Sequence, residues 1–423
     1  MRTITRYALT LLLLVLAACL LLYLAGLVPQ QAVQGNLSAS MDQLVSEGFR
    51  HGVLYQGHPR STLDNYSEAQ ILLRSYYMDT RADPLSILTN PSWDVDGSGM
   101  TDFEQMAQYR EAVDGSAPAN STYARYWMGF RAVVRPLLAL QNYMDTRQLI
   151  LWAFLLLLCA CALLLYRRTG SLWLPLLFVF AVSQLNPAAI TASVQFSTCF
   201  FLAFTGMLLL LALPQKRLDA PLLFLILGAA TQYFDFYTAP LLVFGLPALA
   251  LLLRLQYAPG ADFSLKTTRP LMLRFFAAWV CAYVLMWLAK LALTSLLTPV
   301  DAFASAFERV RMWIVEPLQT GGGSDIPRAL FYCAINLVDV LPLVAEGVFV
   351  LVCAVCAVRR RTPRAVLVQN LVYLIIGLLP LVWIATTAKP SLDHAYFQYR
   401  GLGVTLCAGL IYLLNISFPR TER

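Results

Sequence analysis

Long apolar segments dominate this chain and restrict it to a small set of folds. Of its 423 residues, 59% are hydrophobic and 13% are charged, whereas soluble domains carry about 25% charged residues. A helix needs about 20 mostly apolar residues to cross the bilayer core. The sequence therefore predicts an all-α polytopic integral membrane protein.

About ten segments are predicted to cross the membrane. Three of them are short or interrupted by proline, which is more common around a cavity than against lipid. The uninterrupted segments are 7–27, 149–166, 194–213, 271–293, 337–358, 365–384 and 402–416, and the short ones are 172–185, 221–233 and 239–253.

Basic residues are distributed unevenly between alternate loops. The loops that share a side with the amino terminus hold 16 Lys and Arg residues, and the short loops on the other side hold five. Short cytoplasmic loops are enriched in Lys and Arg. We therefore predict a cell-membrane protein with both termini cytoplasmic, and we interpret the net charge of +7 as a cytoplasmic rim rather than a nucleic-acid surface.

The segment 28–148 divides the chain into a first transmembrane helix (1–27), an extracytoplasmic cap loop (28–148) and a membrane domain with nine further spans (149–423). It holds 13 acidic and 9 basic residues, so it offers no basic groove. Loops of this length usually carry function or their own structure. A partly helical outer cap is expected.

The nine cysteines all lie in apolar runs, which argues against a disulfide scaffold and against a zinc site. The residues Leu-Ala-Ala-Cys at 16–19 resemble a lipoprotein cleavage box. The apolar run continues beyond them to spanning length, and we therefore expect an uncleaved anchor.

Asp64 and Glu68 begin a predicted helix in the cap loop. Four residues apart on a helix, their carboxylates would share one face and one of them would be able to act as a base. The alternative is that Asp64 or Asn65 caps the helix and that Glu68 is a solvated charge of the first turn.

The segment 94–105 is similar to the calcium loop of EF-hand proteins. Asp94, Asp96, Ser98 and Asp102 fall at ligand positions. The last position is Gln105, where a bidentate Glu is normal. Asp94, Asp96 and Asp102 are the metal candidates, and a turn that exposes its charges is the alternative.

Other polar residues are predicted at the mouths of the spans. Arg131 follows the aromatic segment 123–130, where an arginine either holds a lipid phosphate or belongs to an interfacial belt. Tyr233 and Asp235 lie in an aromatic-acidic turn between two short spans, and together with Arg131 they are candidate substrate-binding residues. Lys290 lies inside a span, where an ionisable residue is either functional or reaches for the interface.

His394, Tyr396 and Arg400 lie just before the last span. So dense a group of polar and aromatic residues at one membrane depth suits a phosphate or sugar pocket. An interfacial belt would explain the tyrosine but not the His394 and Arg400 pair.

A first span, a large outer loop with an early acidic pair, and aromatic outer loops together resemble the GT-C class of polytopic glycosyltransferases. The segments 64–68, 123–127, 233–236 and 396–400 are also similar to a family of bacterial integral membrane proteins with this architecture. The resemblance implies an inverting sugar transfer from a polyprenyl-phosphate donor to a cell-envelope glycan. Asp64 would be the base and Glu68 its helper, while cationic groups would receive the lipid phosphate.

The expected partners are therefore a polyprenyl-phosphate lipid, membrane lipids and a glycan acceptor, with no nucleic acid. No cofactor follows from the sequence beyond a divalent cation at the three aspartates. A transporter or flippase of a lipid-linked or small polar substrate remains the first alternative, because broken spans and intramembrane charge also suit alternating access. A noncatalytic envelope scaffold is the second.

Overall fold

The protein is mostly helical, with two short antiparallel strand pairs. The computed structural model describes residues 2–53, 59–214, 218–234, 237–260, 262–315, 325–337 and 340–418. Within them, six helical segments are long and apolar enough to cross a membrane. These six segments indicate a multi-pass helical membrane protein.

The long apolar segments are α1 (Arg2–Gly26), α7 (Tyr143–Thr169), α10 (Val194–Ala212), α13 (Leu265–Leu297), α17 (Arg364–Thr386) and the stretch Ala395–Ser417, which ends in α20 (Gly403–Ser417). Shorter apolar helices are α8 (Trp173–Ser183), α11 (Ala220–Phe234) and α12 (Pro240–Gln256). A further helix, α16, covers Val340–Arg359. Each predicted span thus coincides with a helix, and the number of ten crossings stays a prediction.

Residues 28–142 join α1 to α7 and are called the loop domain here. Its elements are α2 (Gln30–Glu47), β1 (Arg50–Gly52), β2 (Thr62–Asp64), α3 (Asn65–Tyr77), α4 (Ser86–Thr89), β3 (Pro91–Ser92), α5 (Asp102–Asp114), β4 (Ser121–Thr122) and α6 (Arg131–Leu138). Strand β1 pairs with β2, and β3 pairs with β4. The segment is therefore partly helical, as predicted.

Short elements complete the chain between the long helices. They are α9 (Pro187–Thr191), α14 (Ala302–Val310), the π-helical turn Arg311–Val315, α15 (Asp325–Leu337), α18 (Ala388–Asp393), α19 (Ala395–Gln398) and the 3₁₀ turn Tyr399–Leu402. Helix α7 begins six residues before the apolar run predicted from residue 149, because Asn142 caps it by accepting hydrogen bonds from the amides of Met144 and Asp145. A helix can extend beyond the bilayer without apolar residues.

The loop domain has its own hydrophobic core, and that core continues into the spans. Leu37, Leu72 and Tyr109 are fully buried within the domain, and Ile150 of α7 and Val194 of α10 belong to the same cluster. The domain therefore packs on the amino-terminal ends of α7 and α10.

Backbone acceptors in α11 and α13 attach the other side of the loop domain. The Trp127 indole donates to the Met286 carbonyl over 2.8 Å, and the Gly129 amide donates to the Tyr233 carbonyl over 2.8 Å. Lys290, inside α13, donates to the Leu88 carbonyl and, over 3.1 Å, to the Thr294 hydroxyl. The ammonium of Lys290 thus holds α4 against a span.

A polar cluster joins three helices at the opposite end of the bundle. The Tyr373 hydroxyl donates to Gln256 over 2.6 Å, and the Asn415 amide donates to both Gln256 and Asn370. The Gln256 amide in turn donates to Asn370 over 3.2 Å. Such hydrogen bonds hold helices together where lipid supplies no competing partner.

Helices α11 and α13 approach closely at Gly228. A Cβ at this position would lie 2.1 Å from the Trp279 carbonyl oxygen. Small residues permit such contacts between membrane helices.

We expect Gly228→Val to lower the free energy of unfolding of the full-length protein in detergent by about 1–3 kcal/mol, because the backbones of α11 and α13 must separate. Gly409→Val is the matched control, since no atom lies within 4 Å of a Cβ there. Equal melting curves for the two variants would contradict the packing described.

Candidate functional site

A cavity of about 370 Å³ lies where the loop domain meets the ends of α10 and α11 and the segment before α20. Helix α3 supplies Asp64, its amino-terminal cap, together with Gln70 and Arg74. Helices α10 and α11 supply Gln195 and Gln232. The remaining walls are mainly aromatic: Tyr66, Tyr123, Tyr126, Phe130, Tyr233, Phe234, Tyr237, Trp313, His394 and Phe397.

Asp64 is the acidic residue that lines this cavity within the described part of the chain. Its carboxylate accepts hydrogen bonds from the Ser67 amide (3.1 Å) and the Ser67 hydroxyl (2.8 Å), as an N-cap residue does. These contacts fix the direction of the carboxylate. The capping interpretation is therefore correct for Asp64, and the same side chain faces the cavity.

Arg74, Arg125 and Arg309 also line the cavity. None of them forms an ion pair with a carboxylate among the described residues. The Arg74 and Arg125 guanidinium groups lie on the Tyr123 ring, 4.6 and 4.3 Å from its centroid. Burial lowers the pKa of Arg74, and the nearby tyrosines and the more distant Asp94 only partly oppose that change. An anionic ligand in the cavity would stabilise this charge.

Several buried polar atoms on the cavity wall have no hydrogen-bond partner. They include both amide atoms of Gln232, Oε1 of Gln195, Nε2 of Gln70, and Nε of Arg74 and of Arg125. An unsatisfied buried polar atom costs about 1–3 kcal/mol. So many on one wall indicate a site built for a polar ligand.

Glu68 points away from this cavity and into the amino terminus of α10. One carboxylate oxygen accepts from the Ser193 hydroxyl (2.6 Å) and the Gln195 amide (2.9 Å). The other accepts from the Val194 amide (3.2 Å) and from the Tyr143 hydroxyl. Burial raises the pKa of Glu68, and the hydrogen bonds partly oppose that change. The carboxylates of Asp64 and Glu68 therefore do not share a helix face, because Asp64 lies before the helix as its cap.

We expect Glu68→Ala to destabilise the protein by about 2–4 kcal/mol, because it leaves buried donors without an acceptor. Thermal unfolding of the full-length protein in detergent measures the effect. Glu111→Ala removes an exposed acid of the same domain and should leave the melting curve unchanged. Unaltered melting of Glu68→Ala would show that the four hydrogen bonds do not hold the loop domain.

Two predicted substrate-binding arginines lie outside the cavity. Arg131 is fully buried and donates to the Ile87, Trp127 and Met128 carbonyls and to the Asn90 side chain. It therefore joins segments of the loop domain to one another.

Arg400 is also fully buried, with its guanidinium 4.2 Å from the Phe196 ring centroid. It donates to the Leu185 and Tyr396 carbonyls, both over 3.3 Å. Neither this arginine nor Arg131 lines the cavity that contains Asp64. The carbonyl contacts hold both side chains, while Nη1 of Arg131 and Nη2 of Arg400 have no hydrogen-bond partner.

The structure brings Tyr233 and His394 to the cavity wall. The Tyr233 hydroxyl is turned away and donates to the Ala18 carbonyl of α1 over 3.3 Å. Burial lowers the pKa of His394, with nearby Asp64 partly opposing this, so the imidazole is neutral at pH 7. Asp235 lies outside the described residues.

Tyr396 lies between two cavities. It lies near Asp64, which lines the first cavity, and its ring lines a second one of about 740 Å³, together with Arg50 and Arg328. The Arg50 guanidinium lies 5.3 Å from the centroid of that ring. Strand pairing places Arg50 directly opposite Asp64.

The three candidate metal ligands do not converge. Asp94 accepts from the Tyr109 hydroxyl (2.7 Å), and Asp96 accepts from its neighbour Ser98. Asp102 is the exposed first residue of α5, whose cap is Thr101. Within the described ranges, no group of three or more His, Cys, Asp or Glu side chains is arranged to hold a metal ion. The segment is organised as a turn that leads into a capped helix.

An apolar groove adjoins the Asp64 cavity and shares Phe130 and Phe234 with it. It has a volume of about 370 Å³ and runs between α6, α7 and α10, with Leu149, Ile150 and Phe201 on its walls. Its lining is almost entirely apolar. A ligand with a polar head and a hydrocarbon chain fits this arrangement.

Sequence reasoning missed Arg74, although a signal for it exists. Ser67, Gln70 and Arg74 are three and four residues apart, which places them on one face of α3, and all three line the cavity. Glu68 is one position away from Ser67, a rotation of about 100°, and it faces α10 instead. The sequence shows this polar stripe, but it does not show which surface the stripe faces.

Comparison with protein-family models, with curated proteins and with solved structures finds no match to this chain.

Proposed function

We propose that this protein is a GT-C-like glycosyltransferase that transfers a sugar from a polyprenyl-phosphate donor to a cell-envelope glycan or lipid acceptor. The observation that carries the proposal is the set of three arginines without an acidic partner in the same cavity as a single carboxylate. Arginine binds phosphate through two parallel hydrogen bonds. A phosphate-linked substrate would neutralise charges that the protein itself leaves unpaired.

The apolar groove supports a lipid-linked substrate rather than a soluble one. It meets the cavity at Phe130 and Phe234, so a phosphate beside Arg74 would continue into a hydrocarbon chain against α7 and α10. Burial of apolar chain stabilises the complex by about 25 cal/mol per Å² removed from water. A free sugar nucleotide would leave the groove empty.

In the proposed reaction, Asp64 accepts the proton of the acceptor hydroxyl as that oxygen attacks the anomeric carbon of the sugar. The bond between this carbon and the phosphate oxygen breaks, and the lipid phosphate departs with the electron pair. Fixed positive charge on Arg74 and Arg125 stabilises that leaving group. Attack opposite the leaving group inverts the anomeric centre, and we place the acceptor in the cavity beside Tyr396.

We expect Asp64→Asn to reduce transfer by about 10²–10⁴-fold, because the amide keeps the cap but loses the base. The assay is transfer from a polyprenyl-phosphate sugar by the full-length protein in nanodiscs, with melting curves recorded in parallel. Asp94→Asn is the control, since that carboxylate lies outside the cavity.

Full activity of Asp64→Asn beside an inactive Asp94→Asn would show that Asp64 is not the base, and the proposed reaction class would still stand. If no acidic substitution alters a phenotype that deletion of the protein produces, the enzyme proposal fails. The transporter and scaffold alternatives would then replace it.

We further propose that the cavity opens on the extracytoplasmic side and that both termini are cytoplasmic, because basic residues concentrate in the loops of the opposite end. A membrane-impermeant maleimide should label Ser98→Cys in intact cells and should label Arg359→Cys only after the cells are opened. The native cysteines lie in apolar runs and give a low background. Labelling in the reverse order would overturn this orientation.

A further inference from the structure

Gln232 is the least satisfied polar side chain on the cavity wall. It lies in the last turn of α11, is 1% exposed, and neither its amide oxygen nor its amide nitrogen has a hydrogen-bond partner. Both atoms belong to a residue that lines the cavity. Gln232 thus has both an unpaired donor and an unpaired acceptor, and neither is charged.

Gln195 presents a second uncharged group to the same cavity. It lies in the first turn of α10, where Glu68 accepts a hydrogen bond from its backbone amide over 2.9 Å. Its side-chain Oε1 is buried and has no partner. Two uncharged amides from two different helices therefore border the same cavity.

Four rings that line the same cavity pack together and are called the aromatic wall here: Tyr237, Trp313, His394 and Phe397. The His394 and Phe397 rings stack with centroids 5.1 Å apart. Trp313 lies 5.6 Å from Tyr237 and 6.5 Å from His394. Aromatic faces carry partial negative charge, and they attract the polarised C–H groups on the face of a sugar ring.

The charges of the cavity are arranged unequally around this wall. Arg74 and Arg125 gather on Tyr123. Beside the wall, Asp64 and Arg50 act on the pKa of His394 in opposite directions, and Arg309 lies on the Trp313 ring, 5.1 Å from its centroid. The wall is thus flanked by charges of both signs, whereas only cations lie on Tyr123.

We infer that Gln232, Gln195 and the aromatic wall form a subsite for an uncharged sugar ring, while Arg74 and Arg125 hold the phosphate of the same ligand. The inference rests on the proposed function and adds a substrate class to it. The transferred group is a neutral polyhydroxylated ring such as a hexose, rather than an acidic sugar.

The affinities of two lipids report separately on the sugar subsite and on the phosphate site. Bare polyprenyl phosphate and polyprenyl-phosphate glucose are titrated against the full-length protein in nanodiscs. The wild-type protein should bind the sugar-bearing lipid at least about tenfold more tightly, and Gln232→Leu should lose this advantage, because it cannot hydrogen-bond to the hydroxyls. Its affinity for the bare lipid should stay within about twofold of wild type.

Three variants and one further lipid complete the design. Gln31→Leu, at an exposed position, should behave as wild type with both lipids. Arg74→Gln should weaken both lipids equally. Gln232→Met keeps the length of the side chain without the amide and should also lose the sugar advantage, so a folding defect peculiar to leucine is recognised. A polyprenyl-phosphate uronic acid should bind wild-type protein no more tightly than the bare lipid.

The outcomes distinguish this inference from the proposed function. If wild-type protein binds neither lipid, the proposed function fails. If both lipids bind and Gln232→Leu keeps the full sugar advantage, the subsite is overturned and the proposed function stands. A uronic acid lipid that gains as much affinity as the glucose lipid would overturn the assignment to a neutral ring.

Discussion

The hydrogen bonds of one buried carboxylate determine where the loop domain sits. Glu68 leaves α3 and accepts from the first amides of α10, where the helix dipole favours negative charge, and from Tyr143 at the start of α7. The same contacts orient Gln195 on the cavity wall. An ion pair between Glu47 and Arg147, 2.8 Å long and mostly shielded from solvent, supports the same junction. The shape of the cavity follows from this attachment.

The cavity itself is made of groups that the fold leaves unsatisfied. Two buried cations outside it have several protein acceptors: Lys290 donates to a carbonyl and a hydroxyl, and Arg131 donates to four oxygens. The Arg74 guanidinium contacts the Tyr123 ring, and its Nε has no hydrogen-bond partner. Unpaired buried polar groups lower stability, and proteins retain such groups mainly at functional sites. Arg74 thus differs from Lys290 and Arg131 in having no protein acceptor among the described residues.

The sequence predicted the helical membrane architecture well, because spanning length and apolar composition follow directly from bilayer thickness. It also selected Asp64, whose role as cap is a local property. It did not place Glu68, Arg131 or Arg400, because local spacing says nothing about which carbonyl or helix end a side chain will meet. Arg74 was overlooked for the same reason, since the surface that faces it comes from other parts of the chain.

The polar cluster at the far end of the bundle bears on how the chain is assembled during synthesis. Gln256 emerges from the ribosome well before Asn370, Tyr373 and Asn415, its later partners. An unpaired amide in a lipid environment forms a hydrogen bond with any available group. We therefore expect α12 to stay near the insertion machinery, or Gln256 to keep a bound water, until the last helix arrives. The carboxy-terminal helix α20 thus completes a contact begun about 160 residues earlier, and premature termination would leave an earlier helix incompletely paired.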